Sequence, residues 1–81
     1  MDREQLERRL AMAEKNVALG HEVIAEQRLV VAGLAAWGMD PWTARRILAS
    51  FEMLQARLID DLETARIQLA AHDERVRRAA S

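Results

Sequence analysis

Two histidines, His21 and His72, are the first residues of this chain to consider for metal binding or acid–base chemistry. A di-metal site in a helical bundle needs inward-facing carboxylates and a Glu-x-x-His pair. No glutamate stands three residues before either histidine. The chain contains no cysteine, so neither a Cys-based metal site nor a disulfide is available to it. We therefore predict no metal site and no cofactor.

Nucleophilic or paired-carboxylate catalysis has little to build on. Asp60 and Asp61 are neighbours, and neighbouring side chains on a helix point about 100° apart, so the two carboxylates do not share a site. The chain has no Gly-rich loop that would hold a phosphate. Its only hydroxyl groups belong to Thr43, Ser50, Thr64 and Ser81. We predict that the protein is not an enzyme.

Charge and hydropathy argue against nucleic acid and membrane. Twelve basic residues stand against 13 acidic ones, for a net charge of -1. The run from Arg75 to Arg78 would suit a nucleic acid only weakly, because basic residues in a last helical turn also complement the helix dipole. The longest uncharged run, 29–39, is shorter than the roughly 18 residues that a membrane span needs. With no secretory signal at the N-terminus, we expect a cytoplasmic protein.

Long helices are the elements that would position any functional residue. One set of positions recurs at alternating steps of four and three, which is the heptad pattern of helices packed along a seam. We predict a first helix over about 2–37 on this pattern. Its seam consists of Leu6, Leu10, Ala13, Val17, Gly20, Ile24, Gln27, Val31 and Leu34.

A turn over residues 38–40 carries the strong helix-breaking chemistry of the chain. Gly38 suits the left-handed conformation that follows many helix ends. Asp40 is predicted to cap the next helix by accepting a hydrogen bond from the amide of Thr43. Pro41 would occupy the first helical position, where its missing N–H costs nothing.

The second helix is predicted over about 41–78 and carries a seam of its own. So short a turn forces the two helices antiparallel, so the fold class is all-α, a two-helix antiparallel coiled-coil hairpin. The 81 residues then form one domain. The second seam consists of Ala44, Leu48, Phe51, Gln55, Leu58, Leu62, Ala65, Leu69, His72 and Val76.

The turn also sets a predicted register between the seams. It places Gly20 opposite Leu62, a small residue against a large one. It also places Gln27 opposite Gln55. A buried amide without a partner costs roughly 1 to 3 kcal/mol, so we expect these two amides to bond to each other and fix the register.

One flank of the hairpin is apolar near the turn and polar near the termini. Leaving a tryptophan such as Trp37 in water forgoes about 4 to 6 kcal/mol of burial. A second hairpin is the economical cover, so we predict a homodimer that forms a four-helix bundle. The apolar residues of this flank are Val23, Val30, Trp37, Ile47 and Leu54.

The aromatic residues at the turn allow two interpretations. Trp37, Met39 and Trp42 cluster there and include both tryptophans of the chain. They either close the end of a dimeric bundle or provide an anchor for a protein partner or a membrane surface.

Local motifs in both arms resemble a group of small bacterial helical-hairpin proteins. They are Glu22 with residues 24–27 in the first arm, Gly38-x-Asp40 at the turn, and Leu48-x-x-Phe51-Glu52-x-x-Gln55 in the second. The resemblance covers about residues 3–70. It implies the hairpin fold, and the group carries no established function to transfer.

The functional hypothesis is a non-enzymatic protein–protein interaction module, a small adaptor or regulator that acts by helix–helix docking. The predicted partner or dimer interface is Val23, Val30, Trp37, Met39, Trp42, Ile47 and Leu54, with Gln27 and Gln55 as the polar pair that sets the register. The alternative is that the dimeric bundle or its Trp-rich tip binds an apolar small molecule or a lipid.

Overall fold

The computed structural model describes residues 2–81, all in one helical hairpin without a strand in that range. Helix α1 spans Arg3–Ala36 and helix α2 spans Trp42–Ala80, beside predicted ranges of 2–37 and 41–78. The molecule is elongated, with extents of 67 × 15 × 14 Å. Met1, which the predicted domain includes, lies outside the described residues.

Helix α1 begins at a capping box that the sequence analysis did not identify. The Gln5 amide donates to Asp2 Oδ1 at 2.8 Å, and the Asp2 amide donates back to Gln5 Oε1 at 3.1 Å. The box satisfies two backbone donors near the helix start that have no partner within the helix. An acid followed three residues later by glutamine, just before the first apolar seam residue, is its sequence signal.

The turn ends α1 in a Schellman motif. Gly38 has φ +73°, a left-handed conformation that favours glycine, as predicted. Its amide donates to the Ala35 carbonyl at 3.1 Å, and the Met39 amide donates to the Leu34 carbonyl at 2.9 Å. Two carbonyls of the last turn, which have no partner within the helix, are thereby satisfied.

The predicted cap of α2 is wrong by one residue. Asp40 Oδ1 accepts from the amide of Trp42 at 3.0 Å, so it does not bond to Thr43. Pro41 is the N-cap residue and lies outside the helix, which begins at Trp42. A carboxylate commonly bonds its own backbone two residues on, and this local turn competes with the longer bond that a helix cap requires.

The residues of the two predicted seams are buried or half-buried, with Val76 as the exception. The seam is not fully shielded from water, since no described residue is less than 2% exposed. A hairpin has only one partner for each helix, so one side of every seam residue remains close to water. The best-buried apolar residues are Leu6, Ile24, Ala44, Leu62 and Ala65.

The register differs from the predicted one by one heptad. Gln55, and not Leu62, lies against Gly20, where a Cβ atom added to the glycine would overlap Gln55 Oε1 and approach its Cδ to 2.7 Å. On the flank, Arg9 donates to Gln68 Oε1 at 3.2 Å, whereas the register that pairs Gly20 with Leu62 would place Arg75 there, one heptad further along α2. The same slide brings Ala44 back from the turn to a buried position alongside α1.

The predicted bond between Gln27 and Gln55 is therefore also wrong. Gln27 Nε2 donates to the Ala44 carbonyl and Gln55 Nε2 to the Val17 carbonyl, both at 3.0 Å. Each amide thus bonds the backbone of the facing helix. Gly20 makes the space that the Gln55 side chain occupies, and this fit favours the observed register.

Candidate interaction surface

An exposed apolar surface covers one flank of the hairpin near the turn, together with Met39 and Trp42 at the turn itself. We call it the turn-proximal face. Every residue predicted for the partner interface is exposed, from Val23 at 39% to Trp37 at 83%. The face consists of Val23, Val30, Trp37, Met39, Trp42, Ile47 and Leu54.

The register determines which residues of this face lie level with each other. Arg9 and Gln68 are level with each other because their side chains are bonded. Counting from them in steps of seven residues along each helix places Val23 level with Leu54 and Val30 level with Ile47. The register that pairs Gly20 with Leu62 would instead place Leu54 beside Val30 and Asp61 beside Val23. The observed one therefore extends the continuous apolar surface by one heptad along α1, to Val23.

The two tryptophans at the turn differ in their surroundings. Trp42 lies beneath the guanidinium of Arg46, whose Cζ atom is 4.8 Å from the centre of the ring, a cation–π contact within one helix. Trp37 is the C-cap residue of α1 and has the most exposed large apolar side chain described. Trp37 therefore has the most apolar surface left to bury.

Helix α1 extends the apolar surface away from the turn, which the sequence analysis missed. Met12 and Leu19 are 62% and 49% exposed. They lie on the same side of α1 as Val23 and Val30, because residues three and four apart share a helix face. Following the heptad one position beyond the flank would have revealed them. We call Met12, Leu19, Val23, Val30 and Trp37 the α1 stripe.

The terminal half of this flank is polar on α2. Asn16 and Asp61 line one open groove between the helices, next to the Arg9–Gln68 bond. Near the helix ends, Arg3 forms an ion pair with Asp73 at 3.2 Å. Here polar side chains join the helices across the surface. The apolar residues that α2 adds are Leu58, in the same groove as Met12, and Ile67, beside Gln68.

The two histidines lie far apart. His21 is exposed on the opposite flank, beside Arg28 and Glu52. His72 is half-buried, with Nδ1 3.7 Å from Asp73 Oδ1. In the predicted register it would face Leu10, and the slide of one heptad moves it towards the start of α1. Within residues 2–81 no group of three or more metal-ligating side chains gathers.

The outer surface gives two further findings about the described part of the chain. Glu74 pairs with both Arg77 and Arg78, so two arginines of the C-terminal run have a carboxylate partner. Neither α1 nor α2 combines the length and the apolar character that crossing a membrane requires.

The turn-proximal face and the α1 stripe are thus the features of the described surface from which a function can be inferred. Comparison of the chain with protein-family models, with curated proteins and with solved structures finds no match.

Proposed function

We propose that the protein is a non-enzymatic protein–protein interaction module that homodimerises through the turn-proximal face into a four-helix bundle. The observation that carries the proposal is this exposed face, on which Val23 and Leu54, and Val30 and Ile47, form level apolar pairs. Large contiguous apolar patches on a protein surface mark interaction sites. A cytoplasmic location, expected from the sequence, belongs to the same proposal.

The surface area of the hairpin supports association with a second chain. It exposes 6266 Å², whereas a compact monomer of 9.2 kDa exposes about 4,900 Å². A stable protein–protein interface buries about 1,200 to 2,000 Å² in total. Two hairpins therefore have the surface for such an interface, and its formation would bury the seam more deeply.

The test is the molar mass by light scattering, with substitutions that place charge on the face. Val30→Glu with Leu54→Glu should raise the dimer Kd at least about 100-fold, because each carboxylate would lose its water without gaining a partner. Circular dichroism should show that the helical content is retained.

The chain offers a matched control one residue away in each helix. Leu29 and Met53 are 73% and 65% exposed, and each is turned about 100° from its neighbour on the face. Leu29→Glu with Met53→Glu adds the same charge and should leave the Kd within about threefold. A wild-type protein that remains monomeric at millimolar concentration, or equal effects of the two pairs, would contradict the proposal.

The same measurements distinguish the dimer proposal from the alternative, in which the protein binds an apolar small molecule or a lipid. Such ligands bind in concave sites that enclose most of their surface, and grooves along these helices are open to solvent. Under the dimer proposal, tryptophan fluorescence shifts with protein concentration and does not shift when liposomes are added. A shift on adding liposomes at constant molar mass would favour the alternative.

A further inference from the structure

The α1 stripe has a symmetry that the turn-proximal face alone does not show. Its apolar residues are arranged about His21 so that Met12 and Val30 are equally distant from it, as are Leu19 and Val23. Two polar residues of the same helix face, Asn16 and Glu26, are also symmetric about that point, and Arg9 is paired with Gly33, which has no side chain to oppose it. A helix face with this pattern is complementary to its own antiparallel copy.

From this symmetry we propose that the two hairpins pack with their turns at opposite ends, α1 against α1 of the second copy. The inference rests on the proposed homodimer and specifies its geometry. In a two-fold dimer each contact occurs twice, residue i with j and j with i. Met12 then meets Val30 of the second copy, Leu19 meets Val23, and Asn16 meets Glu26.

This arrangement uses almost the full length of α1. The centre of symmetry at residue 21 lies close to the middle of Arg3–Ala36, so nearly the whole helix overlaps with its copy. A dimer with both turns at one end would place α1 over α2 of the second copy. There the level partners of Met12 and Leu19 are Thr64 and Arg57. The opposed arrangement covers Met12 and Leu19 and places Ile47 and Leu54 level with those two residues instead, so the position of Trp37 distinguishes the arrangements.

Trp37 gains a docking position in the opposed arrangement. The same symmetry brings it to Gln5 of the second copy, where Gln5, Arg8, Arg9 and Met12 line a shallow, open depression on α1. The aliphatic stem of an arginine and its guanidinium both pack favourably on an indole ring. With the turns at one end, Trp37 would instead lie beyond the level of α2.

A charge-pair exchange tests the contact between Met12 and Val30. Within one chain these residues are about 27 Å apart along the helix, so they can meet only across an antiparallel dimer. Met12→Lys and Val30→Glu should each weaken the dimer at least tenfold. When both substitutions are present in one chain, the dimer Kd should be at least tenfold lower than that of Val30→Glu alone. The matched control, Met12→Lys with Leu29→Glu, should show no recovery beyond Met12→Lys alone.

A distance measurement gives an independent result. The chain has no cysteine, so Glu4→Cys carries a single spin label at an exposed site away from the stripe. Double electron–electron resonance of the dimer should give a main distance of about 50 to 60 Å, from the 1.5 Å rise per residue.

The outcomes separate the two proposals. A distance shorter than about 45 Å, or a charge pair without recovery, overturns the opposed arrangement while the dimer stands. A monomeric mass without any dipolar signal overturns the dimer, and the arrangement with it.

Discussion

The two helices of this hairpin use their apolar residues differently. Helix α2 concentrates more of them on one face and buries Ala44, Gln55, Leu62 and Ala65 against α1. Helix α1 buries only Leu6 and Ile24 to the same degree, and its apolar residues are distributed around more of its circumference. Both helices leave large apolar side chains exposed. Those of α1 include a second stripe along one face, whereas those of α2 outside the turn-proximal face lie on several faces: Met53, Ile59, Ile67 and Val76.

A second stripe makes α1 the helix that links chains in the proposed bundle. The seam residues of α1 face α2, and the α1 stripe lies beside them on the next part of its surface. A helix with two such stripes requires two neighbours to bury both. The hairpin supplies one neighbour, and the proposed dimer supplies the other. Substitutions of the same type in both helices test this difference.

The largest effect is expected from replacing a seam glutamine with glutamate. Gln55 on α2 is only 5% exposed, and its Oε1 has no hydrogen-bond partner. Gln55→Glu would bury an unpaired charge and lose the donor to the Val17 carbonyl. We expect the free energy of unfolding to fall by about 3 kcal/mol or more.

The matched substitution on α1 is Gln27→Glu, which loses the analogous bond to Ala44. Gln27 is only half-buried, so its carboxylate keeps part of its hydration, and we expect a loss of about 1 kcal/mol. Urea unfolding of both variants at one protein concentration measures the difference. Equal losses would mean that the seam is buried alike on the two helices.

The faces of the helices were predictable from the sequence, but their register was not. A heptad pattern states which residues face the partner, and a slide of seven residues leaves every one of them on that face. Packing determines the slide. The space beside Gly20 accepts the Gln55 side chain, and that information lies in the shape of the facing helices rather than in the spacing of either one.

The exposed stripe was predictable only near the turn. There the apolar residues of α1 and α2 lie beside each other on one flank, and this coincidence drew attention to Val30 and Leu54. Met12 and Leu19 lie one heptad position outside the flank along which the two arms were paired, so that pairing did not reveal them. Treating α1 as a single helix with its own second stripe would have.

Glycine substitutions in α1 are expected to change the free energy of unfolding by less, and in opposite directions at two sites. Gly33→Ala should stabilise the protein by about 1 kcal/mol, since an added Cβ meets nothing within 4 Å and alanine favours the helix. Gly20→Ala gains the same helix propensity but displaces the Gln55 side chain from its position. We expect a net loss of about 1 kcal/mol there, measured by urea unfolding.

A double-mutant cycle identifies the cause of that loss. If Gln55 is what the new methyl group displaces, Gly20→Ala should become stabilising by about 1 kcal/mol in a Gln55→Ala background. The resulting coupling of about 2 kcal/mol would locate the Gly20–Gln55 contact in solution. Additive effects would instead favour the register in which Gly20 faces Leu62.

The smallest effect concerns the ion pair that joins the helices near their free ends. Arg3 and Asp73 each keep about half of their side-chain surface in water, and their atoms approach to 3.2 Å. Exposed pairs contribute about 0.2 to 1 kcal/mol, and salt screens them. Asp73→Asn should therefore lower the free energy of unfolding by at most about 0.5 kcal/mol in dilute buffer and have no effect in 1 M NaCl.

The matched control is Glu63→Gln, which should show no loss in either buffer. Glu63 is exposed on the same helix and has no ion pair among the described residues. A loss above 1 kcal/mol for Asp73→Asn that persists in high salt would mean that the ends of α1 and α2 are held together by a buried contact.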